Sequence, residues 1–349
     1  MALVADKAFF DASAGIPLER TIDAYPEGII LPVDKPYRWT SADVIRKVKY
    51  AAIKHFGKKN LKVGHAGTLD PLATGVLLVC IGAATRQAET LQKHDKEYLA
   101  GIAFGATTPS YDREKEIDRF FPYEHITAQA VEAVLPRFLG EQEQIAPLFS
   151  AKSVDGQRAY ELARKLYREH RDNTEAAALL SRQRITIHSL RLEAFQPAGT
   201  PSETGRQLAE TRPRCAVPAR SAPAVGRAEG GVSPSFAETR EYAPSGDTPP
   251  SAVATSTSAV SAGASNRIRV TDNSALGLPV ATLRIACTKG TYIRAFARDL
   301  GEALGSGAHL ESLCRTRTGD FSISNALSLE QALALLDAVS NQLRTNILP

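Results

Sequence analysis

The chain has 349 residues, 43% of them hydrophobic, with 42 basic against 38 acidic side chains and a formal net charge of +4. That is enough apolar material for one large domain or two ordinary ones, and too even a balance for anionic partners to be read from the total alone. No apolar run reaches membrane-span length, no positively flanked apolar leader opens the chain, and no His-Glu-x-x-His, P-loop or dinucleotide glycine fingerprint points to a metal or nucleotide cofactor.

Residues 1–27 lack periodicity and read as a loosely ordered lead-in. Gly28-Ile-Ile-Leu-Pro-Val-Asp34 predicts a short buried strand. Thr40-Ser-Ala-Asp43 has the form of a capping box, opening a helix with Val44, Ile45, Val48 and Ala52 on one face. Its cations Arg46, Lys47 and Lys49 read as a solvated face, with phosphate contact as the alternative. The most informative stretch follows: Gly64-His-Ala-Gly-Thr-Leu-Asp70-Pro-Leu-Ala-Thr-Gly75. Its glycines permit tight turns and close approach of another molecule, and Pro71 biases Asp70 toward extended backbone. One loop thus carries a carboxylate and a histidine, His65; an ordinary Asp-Pro turn ahead of a buried strand is the plain alternative.

Strands are expected at 76–81, closed by Gly82, and at 98–104. Thr127 caps a helix with Val131, Val134, Leu135 and Phe138 inward, stopped by Gly140. Residues 159–167 look helical. Residues 184–195 alternate as a half-buried strand, with 279–287 as its partner. Between those two strands, 199–266 is rich in Ala, Ser, Pro, Gly and Thr, and reads as a disordered insertion. Such a loop is tolerated because closure entropy grows only logarithmically with length. Thr288-Lys-Gly-Thr-Tyr292-Ile-Arg294 leads into a helix with Ile293, Phe296, Ala297, Leu300 and Leu304 at helical spacing, Gly305 as its stop, and a last helix begins near Ser328. Arg294 lies in the first turn, where a cation is mildly unfavourable for the helix dipole, which suggests a partner. The four cysteines, Cys80, Cys215, Cys287 and Cys314, form no Cys-x-x-Cys pair, the pattern of reduced thiols, with Cys80 and Cys287 buried.

Taken in order and spacing, Asp34-Lys35-Pro36, the block from Gly64 to Pro71, Lys96-Glu97-Tyr98, Ser150-Ala-Lys152 with Gly156, Arg158 and Tyr160, and Lys289-Gly-Thr-Tyr292-Ile-Arg294 resemble the TruB-type tRNA pseudouridine synthases. The resemblance covers residues 28–198 and 267–325. It implies an α+β fold, a mixed, largely antiparallel central sheet flanked by helices, with the active site in a central cleft. One catalytic domain would comprise 28–198 and 267–349, without a full C-terminal RNA-binding domain. The implied activity is isomerisation of uridine 55 in the TΨC loop of tRNA by base flipping, with no cofactor. A tRNA-folding chaperone role accompanies it. The implied enzyme is a cytoplasmic monomer that recognises the T-arm stem-loop and needs neither guide RNA nor membrane.

Carried over by the same resemblance, Asp70 is the reacting carboxylate and Arg294 its partner. Tyr98 stacks on the uracil and helps remove the C5 proton, and His65 fills the space of the extruded base. Tyr292 and Leu313 line the pocket, and Lys35 makes phosphate or structural contacts, as do Lys152 and Lys289. One departure stands out: where the family has a glycine two residues after Asp34-Lys35-Pro36, this chain has Arg38. Three other functions remain to be tested against this one: an RNA-binding chaperone, the catalytic subunit of a guide-RNA particle, and an acid–base hydrolase. The last lacks a second carboxylate, since Asp34, Asp95 and Asp112 stand at no spacing that demands one.

Overall fold

The computed structural model describes residues 18–147, 182–199 and 268–345, with short strands at 10–11, 153–154 and 157–158. The helix expected over 159–167, the positions Ser150, Lys152, Gly156 and Tyr160, and nearly all of the 199–266 insertion lie outside the described residues.

Strands β1 (Phe10–Asp11) and β2 (Ile29–Lys35) precede helix α1 (Ser41–Phe56), which is followed by β3 (Val63–His65) and β4 (Ala73–Ile81). Helix α1 begins where its sequence says. The Asp43 amide donates to Thr40 Oγ1 at 3.0 Å, and the Thr40 amide donates to the Asp43 carboxylate at 3.1 Å. Two otherwise orphaned donors are thereby satisfied. Val44, Val48 and Ala52 then pack fully inside. Strand β4 is buried along its whole length, as its unbroken apolar run requires. It starts three residues before the predicted strand.

Next come α2 (Ala88–Lys93), β5 (Lys96–Phe104), β6 (Ala106–Thr107), β7 (Arg119–Phe120), α3 (Ala128–Val134) and β8 (Gly140–Ile145). After β9 (Ser153–Val154) and β10 (Gln157–Arg158) the chain forms the long β11 (Arg182–Gln196) and β12 (Val280–Cys287). These two pair antiparallel, Arg191 opposite Arg284 and Leu192 opposite Leu283, as their alternation predicts. Helix α4 (Ile293–Ala303), β13 (Ala308–Thr318), β14 (Phe321–Ser322), β15 (Leu327–Ser328) and α5 (Leu329–Thr345) complete the chain.

Eleven strands form one sheet, ordered β1-β2-β4-β13-β5-β12-β11-β8, with β3 on β4, β14 on β13 and β15 on β2. The β1–β2, β2–β15 and β4–β13 pairs are parallel; the others are antiparallel. The class is therefore α+β with a mixed, largely antiparallel sheet flanked by helices. Ile29, Leu31, Ile102, Leu283, Phe296 and Leu300 belong to the main core beside the sheet. Among the described residues no helix is long and apolar enough to cross a membrane.

Three features depart from the sequence-based expectations. Strand β13 lies near the middle of the sheet yet was not predicted, because His309, Glu311, Arg315, Thr316 and Thr318 are buried in it, and such residues usually mark a surface. The end of the lead-in is packed, not loose: Leu18 and Ile22 are buried, and the Glu19 carbonyl meets His55 Nε2 at 3.0 Å. Isolated anchors of this kind leave no periodic trace. Cys80 and Cys287 are buried free thiols, but Cys314 is disulfide-bonded; pairing is decided by proximity in the fold, which sequence spacing does not encode.

Candidate active site

Strand β3 ends at His65, and the chain then loops through Asp70 before re-entering the sheet as β4. Gly67 and Gly75 take φ of +98° and +101°, conformations that side chains oppose. At Gly75 a Cβ would stand 2.2 Å from the Arg315 carbonyl oxygen, so only glycine lets β4 lie in register beside β13, Gly75 opposite Arg315.

The loop is pinned through its carbonyls, five in succession. Arg315 Nη2 donates to Gly67 O at 3.1 Å and Nη1 to Thr68 O at 3.3 Å, while Nε donates to Val76 O at 2.8 Å. Ser41 Oγ donates to Leu69 O at 3.1 Å and accepts from Leu69 N at 3.0 Å. The Ala73 amide closes a turn onto Asp70 O at 3.1 Å. Pro71 O receives the Arg38 amide at 3.0 Å and Lys35 Nζ at 3.2 Å. Further along, the Gly75 amide donates to Asp34 Oδ1 at 3.1 Å. Buried carbonyls left unpaired would each cost about 1–3 kcal/mol, so these contacts define a single loop conformation. Arg38, standing where the resemblance expects glycine, takes φ of +64° and keeps the turn at a strain of about 1–2 kcal/mol. Its Nη2 donates to Ile268 O at 2.8 Å.

With its backbone fixed, Asp70 has a side chain that is 39% exposed. Arg294 Nε donates to its Oδ2 at 2.8 Å. Oδ1 has no protein hydrogen bond among the described residues. Arg294 reaches this position from the first turn of α4, whose start is fixed from β8: Gln144 Oε1 accepts from the Tyr292 amide at 2.9 Å, and Gln144 Nε2 donates to Tyr292 O at 3.2 Å. Arg294 is buried and also donates Nη1 to Ser110 O at 3.2 Å. A second carboxylate, Asp112 Oδ2, stands 3.8 Å from Nε. Burial alone would push the guanidinium toward neutrality; Asp70 and Asp112 together outweigh it and hold its pKa above the ordinary value. Burial raises Asp112, with Arg294 opposing, and its Oδ1 accepts from Ser110 Oγ at 2.6 Å and the Glu114 amide at 2.9 Å.

Tyr98 lies on β5 opposite Arg315 of β13. Burial raises the pKa of its phenol, with the Arg315 guanidinium pulling the other way, so the ring is neutral at ordinary pH. His65 has its pKa lowered by burial first and by Arg315 second; it too is a neutral ring, and its Nδ1 is buried without a hydrogen bond among the described residues. Leu313 sits on β13 opposite Ala73 and Ala100, three positions past Asp70 on the facing strand. Tyr292 precedes α4 by one residue. Lys35 differs from its expected placement against substrate. It is fully buried, and its Nζ donates to Pro36 O at 2.9 Å and Trp39 O at 2.6 Å besides Pro71 O. Of the two roles weighed for it, its surroundings fit the structural one. Burial pulls its pKa down to about 7, Asp70 and Asp34 holding it up in part.

Sequence reasoning missed Arg315, Ser41, Gln144 and Asp112. Ser41 carried a signal only as a helix start, and Asp112 was set aside on spacing; Arg315 and Gln144 gave none. The geometry nonetheless sets Asp70 apart as a partly exposed carboxylate, gripped at one oxygen by a buried arginine and carried on a loop pinned through its carbonyls. Such equipment suits a carboxylate to act as nucleophile or base.

The sequence places this equipment in a known class. A model of the "TruB family pseudouridylate synthase (N terminal domain)" matches residues 53–203, and one of the "tRNA pseudouridylate synthase B C-terminal domain" matches residues 294–349, beyond the point at 325 where the motif resemblance ended. The "tRNA pseudouridine synthase B" of Phocaeicola vulgatus is 38% identical over 313 residues, 90% of this chain and 95% of that protein. That of Thermus thermophilus is 33% identical over 317 residues, 88% and 80% of the two chains. The chain belongs to the TruB family of pseudouridylate synthases. Among solved structures, a Cbf5-Nop10-Gar1 complex aligns with a TM-score of 0.49 at 18% identity; 98% of this chain is covered, and it spans 63% of that one.

Proposed function

We propose that this chain is a stand-alone tRNA pseudouridine synthase that isomerises uridine 55 in the TΨC loop, with Asp70 as the reacting group. The observation that carries the proposal is the Asp70–Arg294 contact at 2.8 Å, with Asp70 Oδ1 left for a ligand. The relatives named above are called tRNA pseudouridine synthases, which supports tRNA as the substrate.

The reaction breaks the N1–C1′ bond, turns the uracil and joins C5 to the same C1′. N1 gains a proton and C5 loses one, so no electrons are exchanged with a cofactor. Asp70 either adds to C1′ or removes the neighbouring ribose proton; both routes need one free carboxylate oxygen at a fixed place. Arg294 aims the carboxylate and stays charged while charge shifts between acid and sugar. The target uridine must leave its stack to reach this loop. His65, neutral and next to the loop, fills the vacated space. Tyr98, Tyr292 and Leu313 form the walls against the base. Stacking suits the neutral Tyr98 ring, whereas removal of the C5 proton by its phenolate runs against the raised pKa.

The test is direct. Purified protein incubated with unmodified tRNA, or with a bare T-arm stem-loop, should place pseudouridine at position 55. Asp70→Asn should bind both RNAs, refold them if the chaperone role holds, and form no product. Product at another uridine would overturn the assigned position. Activity appearing only with an added guide RNA would overturn the stand-alone reading.

A further inference from the structure

Outside the Asp70 site, the surface carries a second feature that the reaction leaves unused. A recess of about 520 Å³ lies between α1, the segment after it, β3 and the short helix following β4; Lys49, Lys59, Asn60, Lys62, Gly64 and Thr85 are among its lining residues. Lys49, Lys59 and Lys62 are exposed, and none is paired with a carboxylate among the described residues. Their neighbours behave differently: Lys54 meets Asp337 at 3.5 Å and Lys58 meets Asp23 at 3.6 Å. Among the described residues, the lysines of this stretch that meet an acid are ones that do not line the recess.

The glycine in the lining is equally informative. Gly64 does not take the left-handed conformation that demands glycine, and a Cβ built there meets nothing within 4 Å. Neither backbone geometry nor packing requires the missing side chain. What it leaves is open space in a recess also lined by three lysines. Strand β3, which contains Gly64, ends at His65, and the chain passes from there directly into the loop that carries Asp70.

We infer that this recess binds a backbone phosphate of the RNA substrate, at a subsite separate from the pocket for the target uridine. Three unpaired lysines form a flexible, fully hydrated cationic rim suited to phosphate as point charges, and the bare glycine lets the sugar-phosphate chain approach the strand. The inference rests on the reading that the chain acts on RNA.

The experiment replaces Lys49, Lys59 and Lys62 by Gln together and measures RNA affinity against salt concentration, with pseudouridine formation at saturating RNA. Each lost phosphate contact should lower the slope of log K against log salt by about 0.7–0.9, and affinity near physiological salt should fall by roughly 10-fold or more. The single-turnover rate at saturation should stay close to that of the unsubstituted chain. A control on two neighbouring lysines that do not line the recess, Lys54→Gln with Lys58→Gln, should leave affinity and slope unchanged. Filling the recess with Gly64→Leu should weaken binding while thermal stability holds. An unchanged slope and affinity in the triple variant, with the unsubstituted chain active, overturns the inference and leaves the function intact. An unsubstituted chain that forms no pseudouridine overturns the function itself.

Discussion

Two sets of cations in this chain have opposite fates. Lys35 and Arg315 are sealed beneath the Asp70 loop, their nitrogens taken up by carbonyls of residues 36, 39, 67, 68, 71 and 76. Lys49, Lys59 and Lys62 stand on the surface, paired with no acid among the described residues. The first set is bound by the protein's own backbone and builds shape; the second is left for something from outside. Residue type does not separate them. What separates them is whether oxygen acceptors are supplied by the fold, because a charge is tolerated inside only where its hydrogen bonds are met.

That contrast can be broken by substitution. The largest effect should come from the anion that the inner cations serve: Asp70→Asn should lower single-turnover product formation by at least about 10⁴-fold, with RNA affinity close to unchanged. Arg315→Met should follow, stranding the Gly67, Thr68 and Val76 carbonyls; urea unfolding should show a loss of about 3–5 kcal/mol. Arg294→Lys retains the charge but not the fork, and should slow the reaction by about 10²–10³-fold with a much smaller change in stability.

Lys35 sharpens the comparison through pH. Its pKa is lowered from 10.5 to about 7 on folding. Below about 7 both folded and unfolded chains carry the proton; above 10.5 neither does. Between the two the unfolded chain binds more protons, so stability should rise with pH across that window. Lys35→Met should remove this part of the rise, which urea melts at pH 7 and 9 on both proteins would detect. The smallest effect concerns α1, which carries Ser41, bonded to the Leu69 backbone of the Asp70 loop, and Lys49 of the outer set. Thr40→Ala should cost about 1 kcal/mol in the same melts.

Much of the framework was legible from periodicity. Strands β2, β5, β11 and β12, with α1 and α4, present apolar residues at the spacing their geometry needs. Strand β13 was not, since Arg315, Glu311 and His309 inside it look like surface residues until their partners are known: Val76 O for Arg315, Arg113 for Glu311, Ala106 O for His309. The Asp70–Arg294 pair was reached through motif resemblance alone; its members are 224 residues apart, and nothing local to either announces the other. The clamp on the loop was hidden for a related reason. Backbone carbonyls are present at every position, so a sequence never shows which of them a lysine or arginine will meet.

The parallel pairing of Gly75 with Arg315 also bears on biosynthesis. Arg315 and the carbonyl of Val76 are 239 residues apart, and no earlier segment supplies that guanidinium. While the nascent chain leaves the ribosome, the segment around Asp70 emerges long before the strand that holds it. At an elongation rate of about 5–20 residues per second, that interval lasts roughly 12–48 s. Throughout it the segment around Asp70 lacks the Arg315 anchor, so its final conformation arrives late in translation, set by chain topology.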